Sequence, residues 1–325
     1  VAFDRRDQKE ALEEQEEKLT LVRKAFDLPM DSRWCVYPVR GIRRKNVGEF
    51  LLLSQLSRED RFSAITLCPT TSVEEKSYRR WKDVAHRYVP RAVFDAGHRE
   101  GVSFQDNLLA SDLILSTSVA EGFGMAFLEP WLLGRPVLAR RLKNVVPDFE
   151  AFGLKLHQFY RSIPIPGSPS WIGVCKREWR EQFRKSWAGI PASMIPRVSI
   201  DEVFSTQVND SDQIDFALLS PARQIEVLQK ISADNGFQAA VRDRAAEVVQ
   251  ALDAPMSHDV IKHNAEMVRS EFGLSSMQER LRHLYSRLLA IAVGWNISRV
   301  NRGDTMLDLL MRQRVFYPCR TEEVD

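Results

Sequence analysis

Short apolar runs alternate with longer amphipathic ones from residue 34 to residue 115, and this alternation restricts the chain to one fold class. Residues 34–39 read as strand. Residues 47–56 read as a helix, apolar at Val47, Phe50, Leu51 and Leu53. Strand is expected again at 62–68, helix at 73–88, strand at 92–95, a short helix at 104–110, and a buried strand at Leu113-Ile114-Leu115. Strands separated by helices predict a doubly wound α/β domain, a parallel sheet with helices on its faces. In such a sheet ligands sit beyond the carboxyl ends of the strands, at the point where strand order reverses.

The last of these strands leads into Ser116-Thr117-Ser118-Val119-Ala120-Glu121-Gly122-Phe123-Gly124-Met125-Ala126-Phe127-Leu128-Glu129. Gly122 and Gly124 mark a turn, a helix is expected over 125–133, and Gly134 stands where a glycine closes a helix. Such a helix would aim free N–H groups and the positive end of its dipole at an anion. Glu121 and Glu129 add two carboxylates that can accept hydrogen bonds from hydroxyls at two places along one extended ligand, as a sugar nucleotide would offer. Upstream, Arg40, Arg43, Arg44 and Lys45 cluster after the first strand. Alone, such a cluster is a solvated face. Between a buried strand and a helix, Arg's fork and Lys's point charge suit a diphosphate.

These segments resemble the retaining glycosyltransferases of the GT-B fold, in particular family 4. Glu121 to Glu129 is similar to that family's E-x7-E motif. Tyr37-Pro38-Val39-Arg40-Gly41-Ile42-Arg43-Arg44-Lys45-Asn46 looks like its first strand and phosphate loop, and Gly134-Arg135-Pro136-Val137-Leu138-Ala139 is similar to its G-x-P-V strand. The likeness is close over 34–147, thinner over 214–289 and absent between. It implies a Rossmann-like donor-binding domain, the C-terminal half of a GT-B enzyme with a helical C-terminal extension. It also implies transfer of a sugar from a nucleoside diphosphate to an acceptor hydroxyl with retention of configuration and without a metal. Arg40 and Lys45 would hold the donor diphosphate and Glu121 would stabilise the reacting sugar, so these three are the catalytic candidates. Glu129 would bind the ribose. The N–H groups from Gly122 through Phe123 and Gly124 to Met125 would meet sugar or phosphate. Ser118 is a lesser candidate, since a hydroxyl after a strand often only bonds the turn. His98, in the loop Asp95-Ala96-Gly97-His98-Arg99, would form a wall for the base. Arg43 and Arg44 are left as solvent-facing or lesser contacts.

The chain opens Val1-Ala2-Phe3-Asp4, similar to the segment that enters the second domain of a GT-B enzyme. The expected organisation is a linker and helix over 1–30, from a missing N-terminal domain. A donor-binding core over 31–156, an insertion over 157–213, completing helices over 214–292 and a tail over 293–325 follow. The acceptor-binding domain is then a separate chain or a part lost from a fragment, and this chain is expected to be inactive without it. The first helix carries a stripe at Leu12, Leu19, Val22 and Phe26. In the insertion, residues 163–170 read as a Pro/Gly/Ser loop. Trp179, Phe183 and Trp187 form one helical stripe, which predicts core packing rather than a basic membrane or phosphate patch. Helices are expected over 222–232, 237–252 and 277–292, the last with a stripe at Leu281, Leu284, Leu288 and Ile291.

Composition removes other classes. A net charge of +2 over 325 residues gives no pull toward nucleic acid or a membrane surface. No apolar run reaches spanning length. Four cysteines without C-x-x-C spacing, two of them (Cys35 and Cys68) in apolar runs, predict buried free thiols and a cytoplasmic protein. Asp210-Ser211-Asp212 spells a metal-binding D-x-D, but it sits in a polar stretch and reads as loop. His258 and His263 are one residue too far apart to share a helix face as ligands. No metal or cofactor is expected. The partners are a nucleotide-sugar donor, an unidentified acceptor and a separate acceptor-domain chain. The alternative reading is a non-catalytic module that holds a sugar nucleotide, or a subunit of a split enzyme.

Overall fold

The computed structural model describes residues 8–186, 212–254, 256–290 and 316–321. Val1 to Asp4, Trp187, Asp210, Ser211, Ile291 and most of the expected tail lie outside them.

Five parallel strands form the central sheet: β1 (Arg33–Arg40), β2 (Arg61–Leu67), β3 (Ala92–Val93), β4 (Leu113–Ser116) and β5 (Val137–Ala139). Their order is β3-β2-β1-β4-β5, so the order reverses between β1 and β4. The register places Val36 between Ala64 of β2 and Ile114 of β4. β1 is buried on both faces, which is why its sequence reads as a continuous apolar run. Trp34 and Val36 face one core cluster, and Cys35, Tyr37 and Val39 the other. The α/β doubly wound expectation is met.

The first core takes in α2 (Val47–Leu56), α3 (Ser72–Tyr88), α7 (Pro169–Lys185) and α8 (Pro221–Ala233). The second takes in α1 (Gln8–Ala25), α4 (Phe104–Ala110), α5 (Glu129–Leu132), α6 (Val146–Ala151) and α11 (His258–Phe272). Between α8 and α11 run α9 (Asn235–Arg244) and α10 (Ala246–Asp253), and α12 (Leu274–Ala290) follows α11. Of the α1 stripe, Leu19 and Val22 are buried and Phe26 stacks on Trp34 at 5.3 Å, but Leu12 is exposed. Trp179 and Phe183 stack at 5.2 Å inside the core against Phe316, so the aromatic stripe of α7 packs as expected.

Several expectations are corrected. Residues 163–170 are not all loop: β6 (Pro164–Pro166) pairs antiparallel with β7 (Gln213–Asp215). Proline lacks a ladder donor but is tolerated at the edge of such a ribbon. The single helix expected over 237–252 divides at Ala245, where φ −99° and ψ 22° leave helical geometry. On α12, Met277, Leu281, Leu284 and Leu288 are exposed, so that stripe is not covered by any described residue. Cys68 is exposed because β2 ends at Leu67, while Cys35 and Cys175 are buried free thiols and Cys319 is buried. No helix among the described residues is long and apolar enough to cross a membrane.

Candidate functional site

At the reversal point the loops after β1 and β4 are bonded to each other. A 3-10 turn, Arg43–Lys45, follows β1. Val119 N donates to Arg44 O at 3.0 Å, and the Thr117 hydroxyl donates to Lys45 O at 2.9 Å. The Tyr37 hydroxyl donates to the same carbonyl at 3.1 Å. Asn46 then takes a left-handed conformation (φ 49°) before α2. Its amide donates to Glu49 Oε2 at 3.0 Å and accepts from Gln224 Nε2 at 3.1 Å. Lys45 is thereby fixed on both sides of its backbone, with its side chain carried into the crevice.

There Lys45 Nζ meets Glu121 Oε1 in a short ion pair, and Arg44 Nη1 lies 3.4 Å from Glu121 Oε2. Arg44 Nη1 also donates to Ala120 O at 3.1 Å. Burial lowers the Lys45 ammonium below the ordinary lysine value, against the opposing pull of Glu121. The pair borders a cavity of about 390 Å³ lined by Lys45, Arg44, Glu121, Gly122, Phe123, Gly124, Met125 and Glu129. One wall is apolar: Phe104 and Leu108 of α4 line it. That helix is capped by a reciprocal pair in which Ser103 Oγ accepts from Asp106 N at 3.0 Å and Asp106 Oδ2 accepts from Ser103 N at 2.9 Å.

The structure thus brings Lys45, Glu121, Glu129 and the turn of Gly122 to Met125 to one cavity. It rearranges the rest. Arg40 ends β1 exposed and is not among the lining residues, whereas Arg44, expected to face solvent or make a lesser contact, lines the cavity. Arg43 is held elsewhere: its N donates to Glu74 Oε2 at 2.7 Å and its Nε to Oε1 at 3.2 Å. The Ser118 hydroxyl is turned inward on Ala120 O at 3.1 Å, so it bonds the turn. His98 lies exposed outside the lining, its Nε2 3.7 Å from Cys68 Sγ. Sequence reasoning missed Tyr37 and Thr117, whose hydroxyls act on Lys45 through its backbone carbonyl, and Asn46, whose side-chain amide joins Glu49 to Gln224; none of these leaves a spacing to read.

The continuous helix expected over 125–133 is broken. A 3-10 turn covers Met125–Phe127, and α5 is a four-residue helix starting at Glu129. Pro130 is the reason: it has no N–H, and its ring would strike the Ala126 carbonyl in an unbroken helix. A long-helix dipole is therefore not what the site offers; it offers side chains and turn amides. Gly134 does close α5 with φ 70°. At Gly124 φ is 93°, and an added Cβ would lie 2.9 Å from Val145 Cγ1. Gly124→Ala is expected to lower stability by about 1–3 kcal/mol, from backbone strain and overpacking together. Chemical denaturation checks this, and an unchanged midpoint would show that the turn can relax.

No group of three or more His, Cys, Asp or Glu among the described residues is placed to hold a metal. No family model matches the chain. It is 31% identical over 185 residues to a protein of Petrotoga mobilis (strain DSM 10674 / SJ95) named mannosylglucosyl-3-phosphoglycerate synthase. The matched residues are 57% of this chain and 35% of that protein, so the chain spans about a third of its relative. The chain is a distant homologue of that synthase.

Proposed function

We propose that this chain is the donor-binding half of a retaining GT-B glycosyltransferase of the family 4 type, acting on a nucleoside-diphosphate sugar. The observation that carries the reading is the convergence of Lys45, Arg44, Glu121 and Glu129 on one cavity at the strand-order reversal. The relative's name, a synthase of a mannosylglucosyl compound, supports sugar transfer as the reaction class.

In this reading the diphosphate meets the Lys45 ammonium and the Arg44 guanidinium. Departure of the nucleoside diphosphate concentrates negative charge on the bridging oxygen, and fixed cations stabilise that charge more in the transition state than before it. Glu121, already beside Lys45, faces the anomeric carbon as positive charge builds there. Glu129, exposed on the far side of the turn, accepts from the ribose hydroxyls. The leaving diphosphate takes the acceptor proton on the same face, so configuration is retained, and the two cations supply the charge a metal would. The acceptor is held by a separate domain that closes the cleft and excludes water. The parts not yet bound to this picture are Arg40 and His98, which reach the donor only if their exposed side chains swing inward.

Calorimetric titration with UDP, GDP and ADP tests the reading. One of the three is expected to bind, and Lys45→Met to weaken it roughly tenfold to a hundredfold, the range for a charge-assisted contact. If none of the three binds the folded chain, the reading is wrong.

A further inference from the structure

A second and larger cavity, about 910 Å³, lies at the opposite edge of the sheet. Arg33 and Arg61, the first residues of β1 and β2, and Pro136, just before β5, border it. Helices α1 and α11 form its other walls. The volume falls within the range of small-molecule sites. The short helix α5 separates the two cavities, and Leu133 lines both.

The cavity contains a buried cation whose hydrogen bonding is incomplete. Arg135 is only 6% exposed, and its Nε is buried without a hydrogen-bond partner. Burial pushes the guanidinium down to about 10, although Glu14 and Asp112 favour its charge at longer range. Asp112 is shared: its Oδ2 accepts from Arg61 Nη2 at 2.9 Å, and its Oδ1 is buried without a hydrogen bond to Arg135 or to any other group. A buried guanidinium without an anion is costly, because water is lost and no acceptor replaces it. Two more cations line the same space from α11, Lys262 and Arg269, beside the apolar Trp131, Met256 and Ile261.

We propose that this cavity binds a small molecule with an oxyanion, a carboxylate or a phosphate, on an apolar body, and that the anion seats on Arg135. The planar fork of arginine accepts either group with two parallel hydrogen bonds. The apolar wall takes the body of the ligand. Apart from Leu133 at their border, this site shares no lining residue with the donor cavity, and it stands whether or not the donor reading does.

The test separates the two cavities by working in the Lys45→Met background, which weakens the donor cavity for phosphate, and by reading the further effect of Arg135→Met. Calorimetric titrations use inorganic phosphate in one arm and hexanoate in the other. At least one is expected to bind Lys45→Met, and adding Arg135→Met is expected to weaken it roughly tenfold to a hundredfold. Binding to neither probe, or binding unchanged by Arg135→Met, overturns the proposal. The phosphate arm alone responding identifies a phosphorylated ligand; the hexanoate arm alone identifies a carboxylate. Should Arg135→Met fail to fold, the Nε–Hε resonance of Arg135 in the unsubstituted chain is followed during the same titrations. A saturating shift supports the site, and a resonance that does not move refutes it.

Discussion

Arg140→Met is expected to destabilise the chain by about 3–5 kcal/mol, the cost of breaking a buried ion pair by removing one partner. Arg140 follows β5 and is 1% exposed. Its Nε and Nη2 donate to the two oxygens of Glu49 at 2.8 and 2.7 Å, and Nη1 and Nη2 donate to Asp215 at 2.8 and 2.9 Å. The Tyr160 hydroxyl adds a bond to Glu49 Oε1 at 2.7 Å. Burial disfavours the charged guanidinium, but Asp215 and Glu49 overcome this and hold it well above its ordinary value. Burial likewise pushes the Glu49 carboxyl up, against Arg140. The Arg140 and Asn46 nitrogens facing Glu49 can only donate, so the geometry holds a carboxylate. Without Arg140 the burial of Glu49 loses its main opposition, with the Tyr160 hydroxyl still donating, and its folded pKa rises further above the ordinary 4.5. A raised acid binds more protons folded than unfolded, so stability falls as pH rises from about 4.5 through the folded value. The loss is therefore expected to be larger at pH 8 than at pH 5. Urea unfolding followed by circular dichroism at both values measures it. A loss below about 1 kcal/mol at pH 8 would show that water reaches Glu49 and Asp215.

The sheet was readable because burial on both faces writes itself into the sequence as unbroken apolar runs, as at Trp34 to Tyr37. The helices over residues 47–56 and 104–110 were readable from periodicity. Where the reading failed, long-range pairing decided. Pro164 to Pro166 became a strand because Gln213 to Asp215 lies beside it. Arg140, Glu49 and Asp215 meet across 91 and 75 residues of sequence, and no local pattern announces such a network. At the site, the carboxylate pair and the glycine turn were legible, and so was Lys45. The choice between Arg40 and Arg44 was not. It depends on the direction each side chain takes out of a 3-10 turn and a strand end, and spacing alone does not set that. The broken helix at Pro130 was legible in principle, since the missing N–H is a local fact.

Glu121→Gln and Glu129→Gln are expected to act in opposite directions on nucleotide affinity, because only Glu121 is tied to Lys45, the cation proposed to hold the diphosphate. In the unliganded chain a diphosphate must compete with Glu121 for Lys45. Removing that carboxylate charge frees the ammonium, and free nucleoside diphosphate is expected to bind roughly threefold to tenfold more tightly at neutral pH, the size of a modest charge-pair energy. On the proposed reading the same substitution removes the group that faces the anomeric carbon. In an enzyme completed by its acceptor domain, kcat is expected to fall roughly a hundredfold to a thousandfold, as when one preorganised electrostatic contact is lost. Glu129 has no such coupling: it is exposed and lines the cavity beyond the turn. Its loss should weaken substrate and free nucleotide alike and leave kcat in place. The pH dependence gives an independent check. Burial lowers the Lys45 pKa and Glu121 opposes that shift. Diphosphate binding needs the ammonium, so affinity falls as pH rises through this value. Without Glu121 the value drops further, and the alkaline loss of affinity should move to lower pH in Glu121→Gln but not in Glu129→Gln. Titrations from pH 7 to pH 10 on the three chains measure it. If both substitutions weaken binding equally, with superimposable pH profiles and kcat retained, Glu121 only locks the two loops together and the transferase chemistry lies elsewhere.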